Sequence, residues 1–177
     1  KVARVPTPRL VDGYPANMGI SRPALHKILG DRTIASGAKV LLGATATHLR
    51  DDGKGVDATL SNGEQARFDL VIGADGVYSQ TRAALFPELA GPQFTGQAVW
   101  RYNLPRPADL DALHVYNGPT GVGLVPISED LMYIYVTTPE PDNPRYPREG
   151  LAALMRSKMA GCAPYIRELS ELVTDDD

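Results

Sequence analysis

The chain has 177 residues, a formal net charge of −3, 43% hydrophobic and 22% charged residues. That balance suits a globular protein with one core or two small lobes, and gives no electrostatic reason to expect a nucleic-acid partner. One cysteine excludes an internal disulfide and a multi-cysteine metal site, and the wide separation of His26, His48 and His114 leaves no metal expected. No apolar run approaches the roughly 20 residues of a bilayer span and no signal peptide opens the chain, so no membrane partner and a cytoplasmic location are expected.

Residues 1–50 carry eight Lys/Arg against Asp12 and Asp31, a basic front that fits a phosphate-bearing ligand or a solvated face. Pro6, Pro8, Pro15, Gly13 and Gly19 predict loop or extended chain over residues 1–20. Pro23 predicts a helix start, with Arg22 held just outside it beside the positive end and Gly37 as a stop; the apolar spacing weakens after Gly30. Val40-Leu41-Leu42 reads as a short strand, followed by one around Ala44 to Leu49. Val56 to Leu60 alternates as a half-buried strand, Asn62-Gly63 turns the chain, and Gln65 to Phe68 returns. Leu70-Val71-Ile72 is an apolar triplet of the kind expected in a strand buried on both faces. A short helix over Ser79 to Phe86 follows. Beyond a seam near residues 86–94, strands are expected at 94–104, 112–117, 121–127 and 131–138, forming a sheet of hairpins. Helices over Arg148 to Met159 and Pro164 to Leu172 close the segment.

The chemistry concentrates in Asp69-Leu-Val-Ile-Gly-Ala-Asp-Gly-Val-Tyr-Ser-Gln-Thr-Arg82. Here a strand runs into two glycines, which let backbone approach a ligand and hold the turn, with a carboxylate between them and a helix N-terminus behind. The Gly-Ala-Asp-Gly-x-x-Ser-x-x-Arg string resembles the second FAD fingerprint of the flavoprotein monooxygenases typified by para-hydroxybenzoate hydroxylase. That resemblance implies an FAD-dependent aromatic hydroxylase. NADH or NADPH would reduce the flavin, and O2 would supply the oxygen placed on a small phenolic or heterocyclic ring. Asp75 and Gly76 would bind cofactor, and Arg82 would brace the turn beside them. Ile20-Ser21-Arg22-Pro23 resembles the family's helix-start contact to the flavin, and Ala46, or Thr47 beside it, matches a backbone contact to the adenine. Trp100, Tyr116, Pro126, Tyr133 and Tyr135 fall near positions that line or back the aromatic pocket. The family's substrate-carboxylate clamp aligns with Pro126 and Ser128, which argues against para-hydroxybenzoate. The tyrosines suit a neutral phenol or nitrogen heterocycle, with Arg101 able to supply a charge if alternation turns it inward. No side chain is required as a catalytic base, because the flavin carries the reaction.

The expected fold is therefore α/β (α+β). A partial, Rossmann-like FAD-binding module over residues 1–88 would join a mixed, largely antiparallel substrate sheet over 89–177. No Gly-x-Gly-x-x-Gly loop and no later Gly-Asp motif occur in these residues. With an opening at Lys1 and a close on Asp175-Asp176-Asp177, this reads as the middle fragment of a longer enzyme, inactive by itself, with a homodimer left open. The rival readings are another flavoenzyme of the superfamily (epoxidase, halogenase or reductase), or a non-catalytic binding domain where the flanking motifs are truly missing.

Overall fold

The computed structural model describes residue 3 and residues 5–176. The expectation of loop over residues 1–20 falls partly outside them; the remainder of that stretch is loop and bend. Two compact units emerge: one is Gly30–Gln93, the other joins the chain up to Leu29 with the chain from Phe94 onward. The described residues before Gly30 belong to the same unit as the second sheet.

Helix α1 (Arg22–Ala35) buries no residue. Its start lies one residue earlier than Pro23 suggests. The Ser21 carbonyl accepts from Leu25 N at 3.0 Å and the Ser21 hydroxyl from Ala24 N at 3.4 Å, so Arg22 stands in the first turn and Pro23, needing no N–H partner there, in the second place. Strands β1 (Ala46–Asp51), β2 (Val56–Leu60) and β3 (Gln65–Phe68) form an antiparallel sheet in that order. Among the described residues of this unit, Ala58 is the one buried hydrophobic side chain.

Two expected strands are not formed. Val40–Leu42 runs as irregular chain into a turn, with Leu42 92% exposed, and Leu70–Ile72 is irregular, with Leu70 73% and Ile72 77% exposed. A strand requires a hydrogen-bonded neighbour, and among the described residues none lies beside either segment. Apolar character alone leaves an extended segment whose faces meet nothing.

The second sheet, by contrast, is fully built. β4 (Gln97–Pro105), β5 (His114–Tyr116), β6 (Gly121–Pro126) and β7 (Leu131–Pro139) are ordered β4-β7-β6-β5, all antiparallel. β5–β6 and β6–β7 are the expected hairpins, but β4 pairs with β7 across nine residues. Arg106 secures the crossing. Its backbone N–H donates to the Asp130 carbonyl (2.8 Å), and its guanidinium donates to the Leu110 (2.9 Å) and Ser128 (2.7 Å) carbonyls. Helices α3 (Leu151–Met159) and α4 (Pro164–Ser170) cover one face. That face carries Leu104, Val122, Leu124, Met132, Ile134 and Val136, each at most 1% exposed, against Ala152, Met155, Met159 and Ile166. Each such aliphatic side chain contributes about 1.5–3 kcal/mol on burial, so the core sets the register: a one-residue slip would turn the whole apolar set outward.

The acidic tail is engaged. Asp176 accepts from Gly150 N (2.8 Å) and Ala152 N (2.7 Å), capping a helix α3 that lacks a side-chain cap of its own, and Asp175 accepts from the Tyr102 hydroxyl at 2.8 Å.

Candidate functional site

Asp75 lies in an irregular turn that leads into helix α2 (Gln80–Leu85). Its carboxylate accepts from the Ser79 hydroxyl at 2.6 Å and from Thr81 N at 3.0 Å. Ser79 in turn caps the helix, its hydroxyl accepting from Arg82 N at 2.9 Å. The Arg82 guanidinium donates to the Val77 carbonyl at 2.7 Å, a charge-assisted brace across the same turn. The Ser79 hydroxyl first, then the Thr81 N–H, hold the Asp75 carboxyl well below the usual carboxylate range, so it is an anion at any working pH. An ionised carboxylate offers about four acceptor positions; beside these two donors, the Asp75 N–H and the Thr81 hydroxyl also favour its charged form.

Gly76 takes φ +82 with nothing within 4 Å of where a Cβ would stand, whereas a Cβ on Gly73 would stand 2.9 Å from Thr81 Cγ2. Gly76 thus supplies the left-handed turn. Gly73 leaves room for Thr81, whose side chain a Cβ there would meet. Glycines alone do not hold the turn: the Asp75 side chain, with Ser79 and Thr81, closes it. Sequence reasoning passed over Ser79 and Thr81 as site residues. The signal was present in Ser79, a favoured cap residue directly before a helix.

Arg22 is exposed in the first turn of α1. Ala46 opens β1, an edge strand, and the register shifts between Ala46 and His48. Thr47 is left outside the ladder there, with its hydroxyl donating to the Thr59 carbonyl at 3.0 Å. A bulge on an edge strand frees main-chain groups for an outside partner, as an adenine contact at Ala46 or Thr47 would need.

The five pocket candidates do not share a face. Trp100, Tyr116 and Pro126 are in register with Val136, Val122 and Met132 respectively. They lie on the helix-covered side, where Trp100 and Tyr116 pack on the core. Tyr133 and Tyr135 alternate to the opposite, uncovered side, their ring centroids 6.4 Å apart and tilted by 45°. Five residues on alternating strands cannot line one surface unless their parities match. Ser128, at the aligned clamp position, is occupied in the β6–β7 turn: its hydroxyl donates to Asp130 at 2.7 Å and accepts from Leu131 N at 3.0 Å.

Among the described residues no group of His, Cys, Asp and Glu could hold a metal ion, and no helix is long and apolar enough to cross a membrane. Within the unit of Gly30–Gln93, an ionised carboxylate beside a left-handed glycine and a bulged strand edge offer acceptors and main-chain groups of the kind a nucleotide cofactor uses.

An Asp-Gly turn leading into a helix, in a chain that also carries an antiparallel sheet, is consistent with a flavoprotein, the class to which the comparisons point. Residues 7–160 match the FAD binding domain family, and the chain belongs to that family. It is 32% identical over 127 residues to the aurachin C monooxygenase/isomerase of Stigmatella aurantiaca, covering 70% of this chain and 31% of that protein. It is 38% identical over 81 residues to the chloroplastic zeaxanthin epoxidase of Spinacia oleracea, covering 45% of this chain and 12% of that one. The crystal structure of Klebsiella pneumoniae HpxO complexed with FAD and uric acid superposes with a TM-score of 0.75 at 25% identity, covering 88% of this chain and 40% of HpxO. The chain therefore spans well under half the length of each of these relatives.

Proposed function

We propose that this chain is the central part of an FAD-dependent monooxygenase that uses NADH or NADPH and O2 to hydroxylate a small phenolic or heterocyclic aromatic. The observation that carries the reading is the Asp75 turn, an ionised carboxylate set by Ser79 and Thr81 beside Gly76, within a chain of the FAD-binding family. In this reading Asp75 and Gly76 face the flavin's hydroxyl-bearing linker, Arg22 meets its phosphate or ribitol region, and main chain at Ala46 receives the adenine. Arg82 keeps the turn in shape. FAD, when bound, supplies the redox chemistry and the oxygen transfer. The protein's part is to bind, orient and exclude water, so no nucleophile or general base is asked of these residues. Residues up to about 88 would serve the cofactor and the later sheet the substrate.

Full-length protein tests this. Stoichiometric FAD, with phenolic or heterocyclic compounds raising NAD(P)H oxidation and yielding hydroxylated product, is expected. Purified full-length protein without flavin would defeat it, while coupled oxygen insertion into an alkene instead of a ring would favour the epoxidase reading, towards which the zeaxanthin epoxidase likeness points. Arg22→Ala should lower flavin occupancy while leaving apoprotein stability within about 0.5 kcal/mol, as for an exposed side chain on a helix that buries no residue.

A further inference from the structure

β4 alternates cleanly. Trp100, Tyr102 and Leu104 face the helices, which places Arg101 and Asn103 on the uncovered side. The register then builds two rows across the sheet on that side: Arg101, Tyr135 and Gly123 in one, Asn103, Tyr133 and Val125 in the next. Directly paired residues on one face have Cβ atoms about 4.5–5.5 Å apart, so Arg101 and Tyr135 are immediate neighbours.

The Tyr135 ring leans the other way. A Cβ on Gly123 would sit 2.0 Å from its Cε1 and 2.5 Å from its hydroxyl oxygen, so the ring lies across Gly123 on β6. The Arg101 side of the row stays uncovered. Among the described residues of the sheet no acidic one occupies a neighbouring position on this face: Val99 and Asn103 flank Arg101 along the strand, and Thr137, Tyr135 and Tyr133 stand opposite. Other cations have partners in place, as Lys158 has Glu140, Arg67 has Asp52 and Asp57, and Arg106 has two carbonyls. Among the described residues Arg101 thus has no acidic neighbour in the sheet and shares its face with the half-buried Tyr133 and Tyr135, a set complementary to a flat anion.

We propose that Arg101, presented with Tyr133 and Tyr135 on the uncovered face, is the specificity-determining residue of this sheet and selects aromatic substrates that carry a negative charge. The charge would be a carboxylate or an ionised ring oxygen or nitrogen. This rests on the monooxygenase reading above and reverses the expectation of a neutral substrate, because that expectation placed the recognition of charge at Pro126 and Ser128. Pro126 lies on the helix-covered side and the Ser128 hydroxyl is spent in a turn. Recognition of charge moves to the neighbouring strand pair.

The test uses the full-length FAD-loaded protein and two matched pairs, 2-hydroxybenzoate with 2-hydroxybenzamide and 4-aminobenzoate with 4-aminobenzamide. Wild type should favour the carboxylate of each pair by about tenfold or more in KM, the scale of one charge-assisted contact. Arg101→Gln should collapse that ratio through KM while FAD content stays at the wild-type level, and Arg101→Lys should restore part of it. An arginine that merely guards the edge of the sheet would change aggregation and leave the ratio intact, which overturns the proposal. So would a loss in Arg101→Gln that falls equally on both members of a pair, or on flavin content. Protein that binds FAD yet turns over neither pair fails the underlying monooxygenase reading, and this inference falls with it; turnover with an unaltered ratio fails the inference alone.

Discussion

Asp75 has two duties. Its carboxylate takes a hydrogen bond from Ser79 and one from Thr81 N, so it shapes the turn before any ligand arrives, and its ionised state follows from those same bonds. Removing it should affect both. Asp75→Ala in the full-length protein is expected to lower the FAD-to-protein ratio and to speed amide exchange at Thr81 and Arg82, without global unfolding. Ser79→Ala leaves the carboxylate but removes the cap of α2, costing about 0.5–2 kcal/mol locally, and should reproduce the exchange effect with a smaller loss of flavin. Unchanged exchange in both variants, with flavin lost only in Asp75→Ala, would make the carboxylate a pure ligand contact and sink the structural half of the argument.

At the scale of elements, β4, β7 and α3 are tied together by a polar cluster that the sequence did not announce. Glu140, 5% exposed, accepts from Lys158 Nζ at 2.6 Å, Tyr146 Oη at 2.7 Å and Thr138 Oγ1 at 2.8 Å, and Trp100 Nε1 donates to Thr138 Oγ1 at 3.0 Å. The Lys158 ammonium also lies 5.9 Å from the Trp100 ring and 5.7 Å from that of Tyr146. Lys158 first, then the Tyr146 and Thr138 hydroxyls, push the Glu140 carboxyl down to about 2 from its ordinary 4.5. A carboxylate whose folded pKa is depressed stabilises the fold fully above the unfolded value and loses that contribution as pH falls through the folded one. The window here runs from pH 4.5 down to about 2. Trp100 is the chain's one tryptophan, so its fluorescence reports the cluster directly. Acid titration should show a change in Trp100 emission within that window, and Glu140→Gln should remove the step while lowering the melting temperature at neutral pH. The same acid transition in Glu140→Gln would show that another group governs it.

For the whole molecule, buried side chains are distributed unevenly between the two units. The unit of Gly30–Gln93 holds Ala58 as its buried hydrophobic residue among those described, while the other holds a continuous core from Leu104 to Val173. Stability follows burial. In the 177-residue chain, amides of β6 and β7 should exchange slowly and those of α1 and β1–β3 quickly; in the full-length protein the second group should become protected. Equal protection of both groups in the 177-residue chain would mean that the exposed Leu25, Ile28, Leu70 and Ile72 need no further cover.

Local chemistry was readable from the sequence wherever one residue or one short spacing decides the outcome. Pro23 marks a helix start, Asn62-Gly63 a hairpin, and the string from Gly73 to Arg82 a turn into a short helix, because each depends on backbone preferences within a few residues. The alternation of β4 and β7 was equally visible, but not which parity faces the helices. That choice was made by α3 and α4, which cover Met132, Ile134 and Val136 and so turn Arg101, Tyr133 and Tyr135 to the uncovered side. It removed Trp100, Tyr116 and Pro126 from that surface in the same step. Leu70-Val71-Ile72 shows the converse limit: its composition is that of a buried strand, yet a strand exists only with a hydrogen-bonded neighbour. Pairing and burial are relations between distant segments, and only the tertiary structure decides them.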